Sequence, residues 1–164
     1  MVIRPVKIED AADINRMRTM DGVRENILGM PSERISDAEE FIRTLTSSDH
    51  MLVAELNNSV VGCAGLSVSS KPRMCHMGGV GIMVHTDYQK QGIGKALMTA
   101  ILDIADNWLN LKRVELCVFI ENVAAIALYR KLGFVVEGTK KYAAIRNGMY
   151  ADEYIMARYR INSI

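Results

Sequence analysis

The apolar period between Ile93 and Trp108 constrains the fold more than any other part of the chain. Ile93, Ala96, Leu97, Ala100, Ile101, Ile104, Ala105 and Trp108 recur at i, i+3, i+4 and i+7, the one-sided stripe of an amphipathic helix. Just before it stand the strand-like run Val80-Gly81-Ile82-Met83-Val84 and the turn Gln89-Lys90-Gln91-Gly92-Ile93-Gly94-Lys95. A strand, a glycine turn and a helix in succession predict a helix packed on a sheet.

The rest of the chain extends this α/β reading. Val2 to Val6 reads as a strand, and Ile8, Ala11, Ala12, Ile14 and Met17 as a helix. Gly22 to Pro31 looks like a loop or broken helix. Ser36 with Glu39 makes a capping box, and Phe41, Ile42 and Leu45 give the following helix its buried face. Met51–Leu56 and Val60–Ser69 flank the Asn57-Asn58-Ser59 turn as a hairpin. Cys75 to Val84 is a third strand, whose Gly78, Gly79 and Gly81 suggest a bulge or the close approach of another group. Arg113–Phe119 is a buried strand, and a helix capped by Asn122 runs to Leu132 with Gly133 at its end. Phe134 to Ile145 and Tyr150 to Tyr159 are strands joined by Asn147-Gly148, a type I′ signal. The predicted order is βααβββαβαββ: one mixed sheet with helices on both faces, in a single domain over residues 1–164.

Composition excludes several classes. Apolar residues make up 49% and charged residues 24% of the 164 positions, with a net charge of +1. That balance is globular and gives no global attraction to nucleic acid. No run approaches the roughly 20 apolar residues of a membrane span, and the N-terminus lacks the apolar stretch of a secretion signal. Cys63, Cys75 and Cys117 are an odd number without a CxxC pair. They point to a reducing, cytoplasmic setting and read as small buried hydrophobes rather than nucleophiles. No metal site is expected; the acidic run Asp37-Ala38-Glu39-Glu40 reads as a solvated helix start.

The Gln89–Lys95 turn carries the chemistry. Unpaired N–H groups at a helix N-terminus bind phosphate, and glycines let the anion reach them. Lys90 and Lys95 add positive charge. On that fragment alone, a tight strand–helix turn explains the pattern equally well. Two other phosphate motifs fit badly: the P-loop needs Ser or Thr after its Lys, where this chain has Ala96, and the dinucleotide fingerprint needs a third glycine, where this chain has Leu97.

Gln89-x-x-Gly92-x-Gly94 after Gly81-Ile82-Met83-Val84 resembles the coenzyme A motif of the GCN5-related N-acetyltransferases. Asn122-Val123-Ala124-Ala125-Ile126-Ala127-Leu128-Tyr129-Arg130-Lys131-Leu132-Gly133-Phe134 is similar to the family's second signature, and the element order looks like that fold. The resemblance covers nearly the whole chain. It implies acetyl-coenzyme A as co-substrate and direct transfer to a primary amine. Main-chain groups of Ile82 and Val84 would pair with the pantetheine arm, with Met83 beside them. Main-chain N–H groups of Gln89, Lys90, Gln91, Gly92, Ile93, Gly94 and Lys95 would hold the pyrophosphate. Asn122 would contact the pantetheine, and Tyr129, about two helical turns later, would lie near the thioester sulfur. Tyr129 is then the candidate acid for the departing thiolate, and a main-chain N–H near Met83 the oxyanion donor. No base is marked; His76, Glu25 and a water chain stay open.

Gly138-Thr139-Lys140-Lys141-Tyr142-Ala143, Arg146-Asn147-Gly148-x-Tyr150-x-Asp152 and Met156-Ala157-Arg158 look like a bacterial subgroup that acetylates L-amino acids such as methionine or phenylalanine. Spermidine acetyltransferases are similar over the same half. Ribosomal-protein and phosphinothricin types are more distant. An amino acid requires a cation or N–H groups for its carboxylate; a polyamine requires carboxylates. Arg24, Glu25 and Asn26, in the segment bordering the acceptor site, do not decide between them. A coenzyme A-binding module without turnover is the reading from another class. Family habit suggests a homodimer.

Overall fold

The computed structural model describes residues 1–160; positions 161–164 of the expected domain lie outside the described residues. The elements follow the predicted order: β1 (Val2–Pro5), α1 (Ala11–Thr19), α2 (Ile35–Thr44), β2 (Asp49–Leu56), β3 (Ser59–Val68), β4 (Met77–Val84), α3 (Ile93–Asp103), β5 (Arg113–Phe119), α4 (Val123–Lys131), β6 (Val135–Arg146) and β7 (Met149–Tyr159). A 3-10 turn, Arg24–Asn26, interrupts the α1–α2 connection. Seven strands form one sheet in the order β1-β2-β3-β4-β5-β7-β6. All neighbours are antiparallel except β4 and β5. Asn147 and Gly148 both have positive φ (51° and 78°), as the type I′ hairpin requires.

Strand alternation divides the core in two. Ala64, Leu66, Val114, Leu116 and Val118 face α3 and α4, where Leu97, Met98 and Ile101 are fully buried. Burying each such side chain contributes about 2 kcal/mol. Val53, Cys63 and Met83 face the other way and pack with Ile14, Met17 and Ala38 of α1 and α2. No helix among the described residues is long and apolar enough to cross a membrane.

Four expectations need correction. The box that opens α2 is not Ser36 with Glu39: Arg34 is the N-cap, its N–H donates to the Asp37 carboxylate at 2.8 Å, and Ser36 lies within the first turn. With the helix so phased, Ala38 and Ile42 meet the core while Phe41 is 53% exposed. Trp108 leaves the α3 stripe as well and is 80% exposed. The last turn, Ile104–Trp108, is a π-helix in which the Leu109 N–H reaches the Ile104 carbonyl at 3.0 Å. The wider turn breaks the 3.6 period and leaves Asp106 paired with Arg158 at 2.7 and 2.8 Å. Cys63 is buried, but Cys75 and Cys117 are exposed. Of the two readings of the β4 glycines, a bulge or a close approach, the bulge is absent against β3, where the register runs unbroken from Val68↔Gly78 to Gly62↔Val84.

Candidate active site

The glycine-rich strand diverges from its parallel neighbour instead of bulging. β4 and β5 pair at Met77↔Arg113, Gly78↔Val114 and Gly79↔Glu115, and the ladder ends there. The Ser69 N–H bonds the Met77 carbonyl and the His85 N–H bonds the Val61 carbonyl, at 3.0 and 2.9 Å. Antiparallel ladders bond at alternate residues, so Gly79, Gly81 and Met83 bond to β3. Val80, Ile82 and Val84 turn their main-chain groups toward the gap left by β5. The Met83 N–H itself faces β3, so the N–H groups near Met83 that open to the gap belong to Ile82 and Val84. The Val84 carbonyl accepts from the Gln89 side chain at 3.0 Å.

At the end of β4 the turn presents a row of amides. Lys90 and Gly92 have φ of 61° and 84°, and Gly92 is the N-cap of α3. Among the described residues, no protein atom accepts from the N–H of Lys90, Gln91, Gly92, Ile93, Gly94 or Lys95. Gln89 differs, because its N–H bonds the Thr86 carbonyl at 3.2 Å. The amide row therefore starts at Lys90. Gln89, Lys90, Gly92, Gly94 and Lys95 line the main cavity. The Gln91 side chain reaches back to the Asp87 carbonyl at 3.0 Å, and that of Ile93 is buried in the core.

Across the gap, α4 brings Asn122 and Tyr129 to the same cavity. The Asn122 side-chain oxygen accepts from the Ala125 N–H at 3.2 Å. This capping bond leaves the amide NH2 for a ligand. Tyr129 is 6% exposed and packs on Phe134 with ring centroids 5.9 Å apart. Burial pushes its hydroxyl up to about 12. Among the described residues that hydroxyl has no hydrogen-bond partner, which suits a group that donates to a ligand.

The cavity has a volume of about 1160 Å³ and is lined both by these residues and by residues of the face covered by α1 and α2. Its volume exceeds that of an ordinary small-molecule pocket. The far side is lined by Arg18, Asn26, Ile27, Phe41 and Met51, with Lys140 and Glu153 from the β6–β7 pair. Arg18 is held by Glu33 at 2.6 and 2.9 Å. This bond, together with the Met30 N–H, keeps the Glu33 carboxyl below its usual range.

Neither expected base reaches the cavity lining. His76 lies exposed before the start of β4, and the Glu25 carboxylate accepts from the Gly22 N–H at 2.7 Å. Glu153 and Lys140 escaped the sequence reading because no local pattern marks them. Pairing places them opposite each other, Lys140↔Glu153, with Glu153 also opposite Phe119. Among the described residues, no cluster of three or more His, Cys, Asp or Glu side chains could hold a metal.

The structure thus joins a sheet split between two parallel central strands, a turn of free amides opening a helix, and a tyrosine lining the same cavity. The chain matches the model of the acetyltransferase (GNAT) family over residues 20–134. It is 35% identical to the L-amino acid N-acetyltransferase AaaT of Escherichia coli K12, covering 98% of both chains. The spermidine N(1)-acetyltransferase of the same organism is 34% identical over 48% of this chain and 42% of its own length. Among solved structures, a GNAT-family acetyltransferase from Streptococcus pneumoniae superposes with a TM-score of 0.80 at 25% identity, covering 96% of this chain and 98% of the other. The Vibrio cholerae spermidine N-acetyltransferase in complex with CoA and spermine shares the fold, with a TM-score of 0.85 at 22% identity over 96% of this chain and 94% of that one. The chain belongs to the GCN5-related N-acetyltransferase family. It is an enzyme that transfers acetyl, with acetyl-coenzyme A as co-substrate.

Proposed function

We propose that the acceptor is the α-amino group of an L-amino acid such as methionine or phenylalanine. The observation that carries this reading is the pairing state of the carboxylates along the cavity. Glu33 is engaged by Arg18 and Asp37 by Arg34. Among the described residues Glu153 alone of the lining carboxylates has no hydrogen-bonded partner, while Lys140 contributes an ammonium beside it. A polyamine brings several positive charges and would meet one free carboxylate. An amino acid brings one ammonium and one carboxylate, which match Glu153 and Lys140. The likeness to an L-amino acid N-acetyltransferase over the full length supports the same choice.

Acetyl-coenzyme A supplies the activated acetyl group. In this reading the amides of Lys90 to Lys95 hold its diphosphate, and the Ile82 and Val84 main chain holds the pantetheine arm as an added strand. The Asn122 NH2 group bonds that arm from the other side. An N–H of Ile82 or Val84 faces the carbonyl oxygen as negative charge develops on it. Glu153 takes the proton of the attacking amine, directly or through one water, and Tyr129 gives a proton to the departing sulfur.

The test is to mix the protein with acetyl-coenzyme A and single acceptors while following free thiol. Methionine or phenylalanine should release thiol with saturating kinetics. Release with spermidine alone would refute the amino-acid reading, and binding of the coenzyme without release for any amine would refute turnover.

A further inference from the structure

Gly65 and Gly81 stand directly opposite each other in the middle of the sheet, on β3 and β4. Neither is required by the backbone, since neither has positive φ. Nor is either required by packing: a Cβ at Gly65 or Gly81 would meet no atom within 4 Å. Gly62 and Gly78, on the same two strands, are different. A Cβ at Gly62 would lie 3.0 Å from Leu97, and one at Gly78 would lie 2.8 Å from Leu66. Those two are small because the core is full. Glycine inside a strand weakens it, so a facing pair that neither backbone nor core demands calls for another explanation.

The pleat says where the missing side chains would point. Cys63 and Met83 form the adjacent pair on the same face and belong to the core beneath α1 and α2. Gly65 and Gly81 therefore open onto that face, and both line the main cavity. Met51 lies next to Gly65 in the same cross-strand row. Leu28 and Phe41, from the segments that cover this face, are 61% and 53% exposed and line the cavity too. The result is a bare floor of main chain with apolar walls. The coenzyme does not account for Gly65, which lies on β3, one strand away from the gap that Ile82 and Val84 face.

We infer that this floor receives the side chain of the acceptor, and that Gly65 and Gly81 make the enzyme select large apolar amino acids over small ones. The inference deepens the proposed function and rests on an amino acid being the acceptor. A floor without Cβ atoms leaves depth for an unbranched thioether or a phenyl ring between the sheet and Phe41. An alanine side chain would leave most of that depth unfilled, and a charged one would lose water against apolar walls.

The experiment compares Gly65→Val and the milder Gly65→Ala with the unsubstituted enzyme. It reads kcat/KM for methionine, phenylalanine and alanine, KM for acetyl-coenzyme A, and the thermal midpoint. The added Cβ meets open space, so Gly65→Ala is expected to keep the fold and gives the answer if the valine does not fold. The ratio of kcat/KM for the better large acceptor to that for alanine should fall about tenfold or more in Gly65→Val and less in Gly65→Ala, on the scale of a methylene or two of lost pocket volume. KM for acetyl-coenzyme A should stay within about twofold, because the change lies off the coenzyme gap. An unchanged ratio in a folded variant, or an unsubstituted enzyme that prefers alanine to both large acceptors, overturns the inference while leaving the amino-acid reading in place. An unsubstituted enzyme that acetylates no amino acid removes the reading of function itself, and this inference with it.

Discussion

The half of the cavity proposed to hold the coenzyme is made largely of main chain, and the half proposed for the acceptor largely of side chains. On the first side, the unpaired edge of β4 and the amides of Lys90 to Lys95 present N–H groups whose direction is set by backbone geometry. On the second, Arg18, Phe41, Lys140 and Glu153 converge from α1, α2, β6 and β7. A backbone site tolerates many side chains provided the glycines and the turn keep their conformation. A side-chain site can change its ligand through single substitutions. A shared co-substrate with differing acceptors is what such a division allows.

Removing the hydroxyl of Tyr129 tests the comparison at the point where the halves meet. Tyr129→Phe should lower kcat by about 100- to 1000-fold, the usual worth of a positioned proton donor. KM for acetyl-coenzyme A should change little, because the ring and its packing on Phe134 remain. The pH profile carries a sign. Burial holds the hydroxyl at about 12, so it stays protonated and able to donate while the acceptor amine loses its proton. The rate should rise with pH to the amine's own pKa and hold level to about pH 10.5. An acid at tyrosine's ordinary value near 10 would instead produce a falling limb there. A falling limb, or a Phe variant of equal activity, removes Tyr129 as the acid.

The amide row should respond to backbone change more than to loss of charge. Gly92 sits at φ 84°, a region a β-branched residue strongly resists. Gly92→Val should weaken coenzyme A binding by about 10- to 100-fold in calorimetric titration, as the strain displaces several N–H groups at once. Lys90→Ala, by contrast, removes an exposed charge and should cost only a few-fold. The opposite order would mean that the lysines, rather than the main chain, hold the diphosphate.

Asn122 takes part in both fold and site, and two substitutions separate those parts. Asn122→Ala loses the cap of α4 and should reduce stability by about 1 kcal/mol in urea unfolding. Asn122→Asp keeps a capping oxygen for the Ala125 N–H and should retain most of that stability. Both lack the NH2 group and should raise KM for acetyl-coenzyme A several-fold. If only the alanine variant raised KM, the role of Asn122 would be to hold α4.

The same division explains what could be read in advance. The turn, the Asn122 cap and Tyr129 lie within two short stretches, so local spacing exposes them, and the structure brings them to one cavity. The element order also follows from local periods and turn residues. Glu153 and Lys140 become neighbours only through the pairing of β5, β6 and β7, which no local pattern encodes. The expectation of a donor near Met83 could not say which N–H, because that is a matter of strand parity. Main-chain direction alternates, and parity depends on register with β3 that the sequence does not display.

Trp108 offers the smallest predicted effect and the sharpest check on how far periodicity can be trusted. In sequence it continues the stripe of α3, and a buried tryptophan replaced by alanine would cost about 3–5 kcal/mol. In the structure the π-turn carries it out to 80% exposure, and it takes no part in the lining of the cavity. Trp108→Ala should therefore change unfolding free energy by no more than about 0.5 kcal/mol and leave both Michaelis constants unaltered. Met98, at the middle of the same helix and fully buried, should cost about 2–5 kcal/mol as Met98→Ala. Equal losses for the two would mean that α3 keeps its 3.6 period to the end and that the π-turn is absent in solution.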